Sequence, residues 1–255
     1  MKNVFLGIIS CLLLFCSCTA TSTAYHVKGE LKDSTFDGRT IYIIQRDNHA
    51  KIDSTRIEGN RFSFNGKIDT AVCCEVSVDK NIYAFFILEN GTISLDLYGH
   101  VFPQGSPMNE QITDINKTAD SLQNIFTAQL DSLIDAYWKK NGIEPPQNGD
   151  REIPQEVLYE QLPSIVAHIN LIEDSICREI LSRHNNDALG QYLIMYSYIY
   201  PTDIDKQIEI LDNIGPWLRS RKDIQKKIKK VEALKKTAVG QPYIDIEGRD
   251  VNGND

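Results

Sequence analysis

Cysteine is scarce past the first eighteen residues: only Cys73, Cys74 and Cys177 follow Cys11, Cys16 and Cys18. An odd trio at this spacing is not a disulfide framework. Adjacent Cys73 and Cys74 would project to opposite faces of a strand, which argues against a vicinal bridge. All three read as small buried residues. The five histidines, His26, His49, His100, His168 and His184, include no i, i+4 pair of the kind that holds zinc on a helix. There is no Gly-rich phosphate loop and no Gly-x-Ser-x-Gly elbow. Cationic excess is also missing. Lys and Arg number 27 against 35 Asp and Glu, for a formal net charge of −8. That disfavours nucleic acid, which needs a basic footprint. The carboxylates show no isolated pair in an apolar setting and read as solvated surface. No catalytic residue, cofactor site or metal site is therefore expected.

A membrane-spanning run is lacking too. The charge-free apolar stretch 4–15 falls short of the roughly 20 residues a span needs. It suits the h-region of a secretory signal, behind the short basic start Met1-Lys2-Asn3. The run ends in Cys16-Ser17-Cys18. A lipoprotein signal peptidase cuts after a small residue, and Ser17 precedes Cys18. Phe15 stands where leucine is usual, and it would precede the cut if Cys16 were the acceptor. The expectation is a signal over 1–17 and acylation of Cys18. The alternative is plain secretion, with cleavage near Ala20 or Ala24. Stable anchoring takes two or more acyl chains, which a triacylated Cys18 would supply.

Residues 18–24 read as a lipidated, small and polar tether. From 25 to about 101 the chain alternates as strands, over 25–31, 40–46, 50–57, 61–64, 72–78, 82–88 and 92–97. Turns fall at Asp47-Asn48, Glu58-Gly59-Asn60, Asp79-Lys80-Asn81 and Asn90-Gly91, the last a strong hairpin signal. Short strands at this spacing predict an antiparallel β-sandwich or open barrel over 25–106. After Gly105-Ser106-Pro107 the period becomes helical. Ile112, Ile115, Ala119, Leu122, Phe126, Leu130, Leu133 and Tyr137 form one stripe. Leu158, Leu162, Ile165, Ile169, Ile172, Ile176 and Ile180 form another, with Pro163 kinking that helix or setting its start. Shorter helices are expected near 187–198 and 203–214. A last one would be capped by Ser220, with Ile224, Ile228, Val231 and Leu234 inward. Residues 107–236 thus predict a domain of α-helical hairpins, and the whole an α+β protein. The lysine-rich run 219–236 reads most simply as a solvated face on a packed helix. A basic amphipathic helix lying on anionic membrane is the other reading. Residues 237–255 read as a linker, a strand at 243–246 and a turn near Asp250-Val251-Asn252-Gly253, the start of a truncated domain.

The order of these segments resembles that of exported Bacteroidota lipoproteins. In those, an N-terminal β domain of unknown function and a helical stretch precede a thioredoxin-like (AhpC/TSA-like) domain of the TlpA/ResA type. The resemblance rests on Tyr25-His-Val-Lys-Gly29 with Asp37-Gly38-Arg-Thr-Ile-Tyr42, and on Ile52-Asp-Ser-Thr55 with Gly59-Asn-Arg-Phe62-Ser-Phe64-Asn-Gly66. It continues through Leu88-Glu-Asn-Gly91, Gly105-Ser-Pro-Met-Asn109, Asn186-Asp-Ala-Leu-Gly190, and Thr237-Ala-Val-Gly240-Gln-Pro-Tyr243-Ile-Asp245. It implies a thiol–disulfide oxidoreductase whose redox pair is a Cys-x-x-Cys at a helix start, where the thiol pKa is lowered. The mature part contains no Cys-x-x-Cys, so those catalytic residues map onto nothing here. The expectation is therefore a lipid-anchored cell-envelope protein in periplasm or at the cell surface. It would be the non-catalytic portion that docks or recognises an envelope protein partner. A stand-alone envelope module binding protein, peptide or glycan is the alternative.

Overall fold

In β1 (Tyr25–Glu30), Tyr25 and Val27 are buried while His26 and Lys28 are exposed, the period-2 pattern of a strand with one face on a core. The same alternation buries Ile41 and Ile43 in β2 (Thr40–Gln45), Phe62 and Phe64 in β4 (Arg61–Gly66), and Ile93 and Leu95 in β7 (Gly91–Asp96). The remaining strands are β3 (Lys51–Arg56), β5 (Val72–Val78) and β6 (Asn81–Leu88). The computed structural model describes residues 22–79, 81–98, 102–144 and 152–237. The signal, Cys18 and the expected strand and turn beyond 237 lie outside the described residues.

The strands form two sheets, ordered β4-β1-β7 and β3-β2-β5-β6. Their inner faces share one apolar core that includes Val27, Phe64, Ile93, Ile41, Cys74, Val76 and Phe86. The expected α+β arrangement is present, and its β part is a sandwich. One ladder departs from antiparallel: β7 runs parallel to β1, with Tyr25 opposite Gly91 and Glu30 opposite Asp96. Asn90-Gly91 is consequently no hairpin. It carries the chain from one sheet to the other. The Asn90 side chain spans to the neighbouring β4–β5 connection, accepting from Ile68 N at 3.1 Å and donating to Ile68 O at 2.7 Å. Gly91, at φ 141°, donates its N–H to Ala24 O at 2.9 Å. The turn chemistry was legible, but the partner strand was set by the parallel slot beside β1. Gly29 shows why the small sheet closes so tightly: a Cβ there would sit 2.2 Å from the Phe62 ring and 2.3 Å from Leu95 O.

All seven residues of β5 are buried. Such a strand is covered on both faces. Cys74 faces the sandwich core, whereas Cys73 faces the helices and donates its S–H to Ala188 O at 3.2 Å. The helices are α1 (Pro107–Asn141), α2 (Leu162–His184), α3 (Ala188–Tyr196), α4 (Ile204–Asp212), α5 (Pro216–Arg219) and α6 (Lys222–Lys236). Pro163 lies in the first turn of α2, which continues without a break from a π-helical turn over Val157–Gln161. Helix α3 is apolar almost all round, as suits a helix buried in a core. Asp187 caps it, accepting from Leu189 N and Gly190 N at 3.0 Å. Cys73 and Ile87 of the sheet join Ile112, Leu189, Leu193, Leu218, Ile224 and Val231 of the helices in a second core. A third cluster, Ile134, Trp138 and Val157, closes the far end of the α1/α2 hairpin. Of the face expected for the last helix, Ile224 and Val231 are buried, while Leu234 is 44 % exposed.

Helix α1 is tied to the edge of the larger sheet by its own first turn. Asn109, 0 % exposed, accepts from Ile87 N at 2.9 Å and donates to Ile87 O at 2.7 Å, as a neighbouring strand would. Its amide also reaches Ser106 Oγ at 2.7 Å. Glu89 accepts from Met108 N at 2.7 Å, supplying both charge and an acceptor to the helix start.

Candidate functional site at the sheet–helix junction

Polar groups from distant parts of the chain meet where β2, β5 and β6 face α3 and α6. Glu75 sits mid-strand in β5, on the face shared by Cys73 and Ser77, and is 5 % exposed. Arg46, just past β2, pairs with it through Nη1. The Arg46 guanidinium also donates from Nε to Tyr196 Oη at 3.3 Å. It lies 4.9 Å from the Phe85 ring centre and 5.4 Å from that of Tyr196. Those two rings stack at 5.3 Å with 10° between their planes. Burial works against the Arg46 charge, but the bonds to Tyr196 and Glu75 outweigh it and leave its pKa raised. Burial pushes the Tyr196 hydroxyl up to about 12, so it remains a donor, reaching Asp223 Oδ2 at 3.5 Å. Gln191 donates to the same carboxylate oxygen at 2.8 Å.

A second contact runs alongside. Asp47, in the β2–β3 turn, accepts from Lys222 N and lies 3.7 Å from Arg221 Nη1. It adds an acceptor at the start of α6, where Asp223 also accepts from Ile224 N at 2.8 Å and the N-cap residue, Arg221, makes no side-chain cap of its own. Ser220, the expected cap, instead donates its hydroxyl to Trp217 O at 2.6 Å within the unforeseen α5. Arg46, Glu75, Phe85, Tyr196 and Asp223 were not singled out in the sequence. Glu75 is an exception to the reading of the carboxylates as solvated surface. Its signal was a lone charge inside Val72-Cys-Cys-Glu-Val-Ser-Val78. The partner, 29 residues away, had no local signature.

The junction holds rather than reacts. Its cation is already neutralised by Glu75, and the adjacent thiol is shut away. Burial raises all three described thiols: Cys73 well above its ordinary range, Cys74 likewise, and Cys177 up to about 12. A thiol so held has little thiolate character. Three or more His, Cys, Asp or Glu arranged to hold a metal ion are not found among the described residues. His26 bonds Asn65 at 2.6 Å, and His184 bonds Asp187, the cap of α3, at 2.7 Å. No described helix is long and apolar enough to cross a membrane.

The fold defines an α+β protein, a two-sheet sandwich with helices packed on one outer face. Residues 25–112 match the family model described as Domain of unknown function (DUF4369). That stretch spans all seven strands and the first turns of α1, including Asn109. Comparison with curated proteins gives no match.

Proposed function

We propose that this chain is a cell-envelope protein anchored by lipid on Cys18, and that its folded part is a non-catalytic docking or partner-recognition unit. The observation that carries the reading is the apolar run 4–15 ending in Ser17-Cys18, followed by a short polar tether into β1. The buried, protonated state of Cys73, Cys74 and Cys177 supports a non-redox role for this part. The family resemblance supplies the finer reading, the front portion of a thioredoxin-like thiol–disulfide oxidoreductase. Metabolic labelling with an alkyne-tagged fatty acid tests the anchor. Label is expected on the wild-type chain and absent from Cys18→Ser. An unlabelled wild type, or a mature N-terminus other than residue 18, overturns it. For the finer reading, the DNA after codon 255 decides. A frame encoding Cys-x-x-Cys within about 100 residues supports it, and a stop followed by unrelated sequence removes it.

A stand-alone binding module is the second reading. A cleft of about 340 Å³ between α2 and the α3–α4 connection favours it, bordered by Leu171 and by Tyr198, which is 85 % exposed. Such apolar and aromatic exposure beside Asn170, Glu173 and Thr202 suits a peptide or a glycan. Loss of captured envelope material on Tyr198→Ala in a pull-down supports this reading, and unchanged capture removes it.

A further inference from the structure

Helix α6 carries a charge pattern opposite to that of the chain as a whole. Lys222, Lys226, Lys229 and Lys236 recur at three, four and seven, so they share one stripe, with Lys230 beside it. All five are exposed, while Ile224 and Val231 bury the opposite side in the helical core. Among the described residues, no carboxylate pairs with any of the five. The neighbouring cations are spoken for: Lys235 bonds Asp205 at 3.0 Å, and Lys227 lies over the Tyr200 ring at 4.9 Å. The stripe runs the length of the helix, roughly 20 Å at 1.5 Å per residue. A set of like charges on a rigid outward face is a surface without a partner, in a chain of net charge −8.

We propose that this face docks on the anionic phospholipid headgroups of the membrane to which the chain is tethered. Strand order supports it. Tyr25, the first residue of β1, pairs with Gly66 and Gly91. Gln45, the last of β2, pairs with Cys74 near the start of β5, and Val72 pairs with Leu88 just before the crossover to Gly91. The start of β1 and the turn carrying Asp47 therefore lie at the same end of the sandwich, and Asp47 holds the start of α6. The tether and the first lysines of the stripe thus leave the body at one end. Six residues span at most about 21 Å, which keeps any lipid on Cys18 within reach of that end. On α6 itself the carboxylates are Asp223, which accepts from Gln191, and the exposed Glu232 beside Lys229 and Lys236, so the helix face keeps a cationic excess. This deepens the anchoring reading above but uses it only for orientation, because the stripe exists with or without an acyl group.

The test is vesicle partitioning of the full chain carrying Cys18→Ser, with and without Lys222→Gln, Lys226→Gln and Lys229→Gln. Vesicles are phosphatidylcholine alone or phosphatidylcholine with phosphatidylglycerol. Both proteins keep the apolar segment 4–15, so their difference reads the stripe. A lysine near an anionic surface contributes about fivefold in binding. The triple variant is expected to partition on the order of a hundredfold less onto anionic vesicles. Its behaviour on neutral vesicles and its circular dichroism should not change, and the gap should close in high salt. Equal partitioning of the two proteins, or binding by the parent that ignores phosphatidylglycerol, overturns the proposal. So does selective binding to soluble polyglutamate with none to anionic vesicles, which would assign the face to an acidic protein. Fatty-acid labelling of Cys18 is independent of all these outcomes, so failure here leaves the anchor standing.

Discussion

Replacing Asn109 with Ala should be among the most damaging substitutions of an uncharged residue in this protein. Asn109 is wholly buried and stands in for the missing strand beside β6, occupying both the N–H and the C=O of Ile87. Alanine leaves both groups without their side-chain partner. A buried polar group left unsatisfied costs about 1–3 kcal/mol. Two of them, partly relieved by relaxation at a sheet edge, give about 2–4 kcal/mol. That is a large share of the roughly 5–15 kcal/mol of a typical folded protein. At about 2–4 °C per kcal/mol for a chain this long, the midpoint of thermal unfolding should fall by about 4–16 °C. The assay is equilibrium urea unfolding, together with hydrogen exchange at the Ile87 amide, which should accelerate. Asn109→Asp gives the directional control. One carboxylate oxygen can still accept from Ile87 N, but the other faces Ile87 O, so the acid should be held protonated. Its folded pKa then lies above the unfolded one, and this variant should gain stability as pH falls through that window. A loss below about 0.5 kcal/mol for Asn109→Ala, the level of an ordinary surface change, with Ile87 exchange unaltered, would refute the reasoning.

Removing Arg46 as Arg46→Ala strands Glu75 in the junction and should cost about 3–5 kcal/mol. Adding Glu75→Leu should restore much of that in the same urea titration, and an additive double variant would contradict the pairing. Alkaline pH should weaken the fold. Cys177 is raised by burial from 9.0 to about 12, so the unfolded thiol loses its proton first. Stability is then full below pH 9 and declines from there to about 12, by about 1.4 kcal/mol per pH unit for each such thiol. Urea midpoints at pH 8 and pH 10.5 measure the decline, which should be shallower in Cys177→Ala.

The sequence by itself determined the strands and the longer helices, though not α5. Periodicity is a local property, so alternation at Tyr25/Val27 and Phe62/Phe64, and the three-and-four spacing of Ile112, Ile115, Ala119 and Leu122, placed strands and helices close to where they stand. Adjacent cysteines in a strand sufficed to put Cys73 and Cys74 on opposite faces. Local pattern does not say which strand lies beside which. The parallel β1–β7 ladder and the crossing at Asn90-Gly91 arise from packing between sheets, which no turn dipeptide encodes. Nor could spacing along the chain reveal caps and ion pairs made at long range. Asp47 serves the start of α6 and Arg46 bonds Tyr196, 175 and 150 residues away respectively. The lysine stripe belongs partly to each. Its spacing was present in the sequence from the start, and burial of Ile224 and Val231 is what turned those charges to the outside together.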